Sequence, residues 1–228
     1  MDMAAPMRMN TGTRPMRTDL LTLQQWLSPS FPVGAFAYSH GLEVAIARGW
    51  ITSAKDLQGW LMPLLEDGSG RSDAVMLAQA YQAEDAAALD WIDATARAFA
   101  PAAERLMEAD LQGAAFARTV REVWGLDLPD MVLPVAVGRA ARLMDLPLQD
   151  ACAMYLHAFV ANLTSAAIRL VPLGQTEGQA VLARLAPLCS RFAGESAAMT
   201  LDDLYSNAFL SDVAAMTHET LEPRLFRS

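Results

Sequence analysis

Apolar positions along this chain recur at helical spacing, and no stretch alternates as a half-buried strand would. Residues 19–27 place Leu20, Leu23 and Leu27 on one face and stop before Pro29, because the residue preceding a proline is pushed out of the helical region. Ser39 is placed to cap a following helix that Gly49 stops. Residues 53–56 (SAKD) have capping-box spacing, with Asp standing where Glu or Gln is usual. Behind them Leu57, Trp60, Leu61, Leu64 and Leu65 make an apolar stripe, which Pro63 is expected to kink or shorten. Gly68-Ser69-Gly70 reads as a plain turn. Further helices are predicted over 73–83, 85–99, 101–124 with Pro101 at the favourable first position, 131–144, 148–170, and 175–192, the last bent or broken near Pro187. After Leu201 the pattern weakens into a short helix and a tail, 217–228. Linkers are short and no internal repeat is visible. The pattern therefore predicts one all-α domain over 19–228, of roughly ten helices around the central apolar helix 148–170, preceded by a mobile N-terminal tail over 1–18.

Composition narrows the function classes. Of the 228 residues, 53% are hydrophobic and 19% charged, and the formal net charge is −9. A chain this apolar buries enough surface to offset its ordering entropy, so it is not intrinsically disordered. An acidic chain with no basic run is a poor partner for nucleic acid or an anionic membrane. Residues 151–168 carry no charged side chain, but Asn162, Thr164 and Ser165 lie among them; a helix buried in a bundle explains the run better than a membrane span. Cys152 and Cys189 lie far apart and outside any metal-type cluster, and no secretory signal is visible, so the expected location is cytoplasmic. An acidic chain this hydrophobic either holds an unusually apolar core or carries apolar surface meant for partners.

A search for catalytic chemistry returns little. There is no phosphate-binding loop, no HExxH, no GxSxG and no GxGxxG entering a helix. Three histidines remain. His40 and Glu43 lie three apart on one helix; the ordinary reading is a partly exposed, capped histidine beside a surface acid, and two adjacent ligands leave a transition-metal site incomplete. His157 falls in the apolar central helix, where a hydrogen-bonded core histidine is the default. His218 and Glu219 sit near the end, where a solvated tail is usual. Residues 28–38 (SPSFPVGAFAY) form a stiff apolar loop that either packs inward or meets a partner at little entropic cost. Leu225 and Phe226 between Arg224 and Arg227 make physical sense if the tail docks, on its own chain or on a partner, with arginines reaching carboxylates or carbonyls.

Three segments resemble one known family. Residues 27–43 (LSPSFPVGAFAYSHGLE) resemble the signature near the start of the UreF-type urease accessory proteins, in which a proline-glycine-aromatic loop runs into a Tyr-Ser-x-Gly-Leu-Glu helix start. Residues 155–179 (YLHAFVANLTSAAIRLVPLGQTEGQ) resemble that family's long central helix and its Pro-Leu-Gly-Gln-Thr-x-Gly-Gln turn. Residues 211–228 (SDVAAMTHETLEPRLFRS) are similar to its terminal pattern. Order and spacing agree over 19–228. The chain departs from the pattern at Leu221-Glu222-Pro223, where Gln-Tyr-Ser is more usual, and at His40, where Gln is more usual.

The resemblance implies a non-catalytic, all-helical, homodimeric scaffold with no cofactor, no catalytic residue and no metal site of its own. Such proteins bridge a D-type accessory protein (called H in some organisms) and a G-type GTPase, and regulate GTP-dependent nickel insertion into apo-urease. The partner-binding residues it points to are Phe31, Pro32, Gly34, Phe36 and Tyr38 in the loop and Glu43 after it. Gln175 and Gln179 at the later turn, and His218, Glu219, Arg224, Leu225, Phe226 and Arg227 in the tail, complete the set. For the later turn the ordinary alternative is a helix–helix connection capped by Thr176. The functional alternative is a direct nickel carrier using His40, Glu43 and His218.

Overall fold

The uncharged run of the sequence forms α8 (Leu148–Leu170), the helix the rest of the protein is built on. Ala151, Cys152, Leu156, Val160, Leu163 and Ala167 along it are fully buried. The computed structural model describes residues 18–228. Against α8 pack α1 (Thr18–Trp26), α2 (Leu42–Ala47), α3 (Ala54–Glu66), α4 (Ser69–Gln82), α7 (Leu133–Leu143) and, most extensively, α9 (Gln175–Ser196). α5 (Ala86–Ala98) lies outside α4 and α7, α6 (Ala103–Trp124) lies along α7, and α10 (Phe209–His218) packs on α2 and α6. Short 3₁₀ turns at Ala35–Ala37 and Leu201–Asp203 complete the elements, and no strand occurs among the described residues. The all-helical, one-domain expectation holds. The expected N-terminal tail lies outside the described residues except for Thr18, which opens α1.

Alanine and glycine let backbones touch. A methyl group on Gly138 of α7 would sit 2.2 Å from the Leu77 carbonyl oxygen of α4, so these two helices cross without side-chain spacers. Gly113 of α6 meets the Met131 carbonyl oxygen in the same way, at 1.9 Å. On the other side, Trp26 is wedged edge-on between Phe116 and Trp124, with ring centroids at 5.4 and 5.6 Å, and Phe31 lies 5.5 Å from Phe116. This aromatic cluster fastens α1 and the following loop to α6.

Several boundaries differ from the sequence reading, each for a local reason. Pro63 does not shorten α3, and α9 runs unbroken through Pro187 to Ser196. Both prolines, and Gly59 and Ala183 one turn earlier, are exposed, so the carbonyls that lose a partner lie on the solvent side of their helices. The supposed turn Gly68-Ser69-Gly70 contains the first turn of α4. Its glycines are there for clearance, since a methyl at Gly70 would lie 2.9 Å from the Leu64 carbonyl oxygen. Pro101 precedes α6 rather than opening it. The later turn is capped not by Thr176 but by Gly174, whose N–H donates to the Glu177 carboxylate at 2.9 Å. Ser53 caps α3 as expected, accepting from the Asp56 N–H at 3.2 Å. Of the described helices, α8 alone is long and apolar enough to cross a membrane, and half of that stretch is buried in the bundle.

Candidate functional site

Residues 219–228 leave α10 and return across α6 and α2, where three carboxylates hold them. Glu43 is the first. One of its oxygens accepts from the Leu225 N–H at 2.8 Å, and the other accepts from the Phe226 N–H at 3.0 Å and faces His218 Nε2 at 3.3 Å. Glu104 takes His218 Nδ1 at 2.7 Å and pairs with Arg224. Glu108 takes the Ser228 hydroxyl at 2.7 Å, His40 Nε2 at 2.8 Å and Gln112 Nε2 at 2.8 Å, and pairs with Arg105. Main-chain bonds lock the register: Ser39 N–H and its hydroxyl donate to the Ser228 main-chain oxygen at 2.7 and 2.6 Å, and Arg227 N–H donates to the Ala37 carbonyl at 2.8 Å. Arg169 covers the Phe226 ring at 4.5 Å while donating to the Phe36 carbonyl at 2.8 Å. Glu219 accepts from the Ala103 N–H at the start of α6, at 2.8 Å.

The backbone makes this possible at two left-handed residues. Gly41 has φ +74, and a methyl on it would lie 2.5 Å from the Ala215 nitrogen, so α2 begins directly against α10. His40 has φ 55, unusual for a residue with a side chain. Burial pushes the Glu108 carboxyl up, but Arg105, His40 and the Ser228 hydroxyl outweigh it and hold the group down at about 2. Burial, with Arg105, lowers the His40 pKa, so its ring is neutral. An ionised Glu108 can only accept, so His40 carries its proton on Nε2 and leaves Nδ1 a bare acceptor; that atom is buried without a partner.

The expected contact residues divide between the core and the surface. Phe31 and Tyr38 are buried, 6% and 3% exposed, whereas Phe36 is 68% and Leu225 81% exposed. Pro32, Gln175, Gln179, Glu219, Arg224 and Arg227 are exposed, and Gly34 turns the loop with φ +73. Glu43, His218 and Phe226 are buried in the tail contact. His40 is not the partly exposed neighbour of Glu43 that its spacing indicated: it is buried and bound to Glu108. Ser39 bonds the tail rather than cleanly capping α2, its oxygen lying 3.4 Å from the Glu43 nitrogen. His218 is fully buried, not solvated, and His157 is exposed rather than a core residue. Among the described residues, no three His, Cys, Asp or Glu side chains form a group able to hold a metal ion. Glu104, Arg105 and Glu108 were not singled out from sequence. The signal was present: positions 104, 108 and 112 are polar but continue the i, i+4 line of the buried Phe116 and Val120.

Beside the tail contact, a cavity of about 560 Å³ opens between the end of α1, the 28–36 loop, α6, α7 and the outer face of α8. Its walls are mainly apolar, with Val33, Phe36, Leu133, Val137 and Met154 among them, and Asp73 lies in its lining. Tyr155 Oη donates to Asp73 at 2.8 Å. Burial pushes the Asp73 carboxyl up to about 6, against the pull of Arg105 and Tyr155. The folded protein therefore holds a proton there that the unfolded chain releases from about 3.8, and this group costs stability as pH rises from 4 through 6. Asp73→Asn should stabilise the protein by on the order of 1–3 kcal/mol above pH 7, and the gain should vanish below about pH 4. Urea unfolding of both proteins across that range checks the sign.

Comparison with known proteins adds the family. The UreF family model matches residues 51–186. A urease accessory protein UreF of Cereibacter sphaeroides is 54% identical over 213 residues, covering 93% of this chain and 100% of the relative. Those of Roseobacter denitrificans and Azorhizobium caulinodans are 53% and 45% identical, covering 97% and 96% of this chain and 100% and 98% of their own. An all-helical chain with this C-terminal contact, matched over nearly its whole length by such relatives, belongs to the UreF family of urease accessory proteins.

Proposed function

We propose that this protein is a cytoplasmic, non-catalytic scaffold of urease maturation. As a homodimer it binds the D/H-type accessory protein, then the G-type GTPase, and regulates GTP-dependent nickel insertion into apo-urease. Family membership supports the role, and one structural observation supports the mode of action. The tail 219–228 is docked by carboxylates of its own chain yet leaves Leu225 and the Arg227 side chain outside, with the Arg227 N–H on the carbonyl of Ala37, the residue after the exposed Phe36. Burying Phe226 and Ser228 fixes the tail in one register, so its outward residues form a pre-organised surface with Phe36 that loses little entropy on binding. Aromatic and arginine side chains are the usual anchors of such surfaces.

Phe36→Ala should weaken recruitment of the accessory partners at least about tenfold while leaving helicity and melting temperature nearly unchanged, because the side chain is mostly solvated. Deleting residues 224–228 should lower complex assembly and also the melting temperature, because Glu43, Glu104 and Glu108 lose the donors the tail brings. Pull-down with each partner, beside circular dichroism of the free protein, separates the two effects. Wild-type protein that binds neither partner, singly or in sequence, would sink the scaffold reading.

A further inference from the structure

One buried side chain connects both walls of the tail contact. His218, at the end of α10, is fully buried, with Nδ1 2.7 Å from Glu104 on α6 and Nε2 3.3 Å from Glu43 on α2. The same two carboxylates receive Arg224 and the Leu225 and Phe226 N–H groups from the tail. Next to His218, Glu219 is taken up by the Ala103 N–H. A neutral imidazole has one N–H, so it donates to one carboxylate and turns a lone pair on the other, whereas an imidazolium donates to both. The charges balance the same way. Glu43, Glu104 and Glu108 bring three negative charges together, and Arg224 and Arg105 answer two of them. Burial keeps His40 neutral, so the third cation is His218.

Without its second proton, one negative charge stays unanswered behind the tail, and an unpaired buried charge is costly. Water reaches it most cheaply by displacing the tail. Residues 219–228 have no helix to unwind, whereas α2 and α10 meet backbone to backbone at Gly41. Nδ1 makes the shorter contact, so the single proton of a neutral ring stays toward Glu104. The bare Nε2 then faces Glu43, the carboxylate that holds Leu225 and Phe226.

We propose that His218 is a proton-operated latch for the tail: its imidazolium keeps Glu43 and Glu104 closed under residues 224–228, and loss of the Nε2 proton releases them. Its meaning for assembly rests on the scaffold reading, because the docked tail forms that partner surface. The docked form binds one proton more than the released form, so docking weakens as pH rises, at most about tenfold per pH unit. Between about pH 7 and about 9 other buried groups stay fixed: the Asp73 carboxyl is pushed up only to about 6, and burial lifts the Cys152 and Cys189 thiols to about 12 and about 11.

The test is trypsin cleavage of the purified full chain after Arg224 and Arg227, each rate divided by that of a free peptide of residues 217–228 at the same pH. Protection should fall at least about tenfold over that range while circular dichroism stays unchanged. His218→Gln, whose amide nitrogen serves one carboxylate while its oxygen repels the other, should leave the tail open, with protection low and flat across the range. If that variant does not fold, nitrogen NMR of the wild-type imidazole rings decides. Both His218 nitrogens should be protonated while the tail is docked, and one should lose its proton where protection is lost. Unchanged protection, a pH dependence that survives in His218→Gln, or a neutral His218 under a docked tail overturns the proposal. So does helicity that falls together with protection, which would make the release a global unfolding. No partner is present in these measurements, so a partner pull-down that succeeds beside flat protection leaves the scaffold role standing and overturns the latch alone.

Discussion

Replacing Glu43 by Gln should release the tail and destabilise the protein by about 3 kcal/mol, despite the near-identical shape. Each carboxylate oxygen has a donor: the Leu225 N–H on one, the Phe226 N–H and the His218 ring on the other. Whichever way the amide is turned, its NH₂ group faces a donor, and a buried N–H loses its acceptor. His218, fully buried between Glu43 and Glu104, also loses one of its two carboxylates. Phe226 should then leave its place under Arg169, exposing the bond after Arg224 or Arg227 to trypsin. Limited proteolysis followed by mass measurement reads the release, and urea unfolding reads the stability. A tail that stays protected in the Gln variant would show that Phe226 packing alone holds it.

The second large effect concerns the helix crossing. Gly138→Ala should cost about 3 kcal/mol or more and lower the melting temperature by roughly 10 °C, because the new methyl would meet the Leu77 carbonyl oxygen at 2.2 Å and only backbone movement relieves it. Gly59→Ala supplies the contrast. That glycine lies inside α3 with nothing within 4 Å of the added carbon, so the same substitution should stabilise by about 0.5–1 kcal/mol. Thermal melts of the two variants should therefore move in opposite directions. A Gly138→Ala protein as stable as wild type would mean that α4 and α7 can slide apart without loss.

These cases mark what the sequence made legible. Helix positions followed from periodicity, as with the stripe from Leu57 to Leu65, because burial of one face depends on spacing alone. Helix ends were less readable. Pro63 and Pro187 sit within unbroken helices on exposed faces, and exposure is a tertiary property. The loop and tail were recognisable as segments, but their internal division was not. Phe31 and Phe36 differ by five positions in one apolar loop, and nothing local says that one joins Phe116 while the other faces solvent. His40 beside Glu43 invited a local pairing. The left-handed turn at His40 and Gly41 instead sends them to Glu108 and to the tail, contacts set by residues far along the chain. Asp73 was equally opaque, since its partner Tyr155 lies 82 positions further along the chain.

The contact between Ser39 and Ser228 spans 189 positions, and that separation has a consequence for biosynthesis. On the ribosome, Glu43, Glu104 and Glu108 are made well before residues 224–228, from which they accept. Loop-closure entropy makes such a contact the last to form, so tail docking should be the final step of folding. A nascent chain stalled before residue 224 would lack two of the three donors to Glu43 and one each of those to Glu104 and Glu108, at a real cost in stability. The same bonds that shape the partner surface therefore act as a proofreading mark: they are complete only once residue 228 has been made.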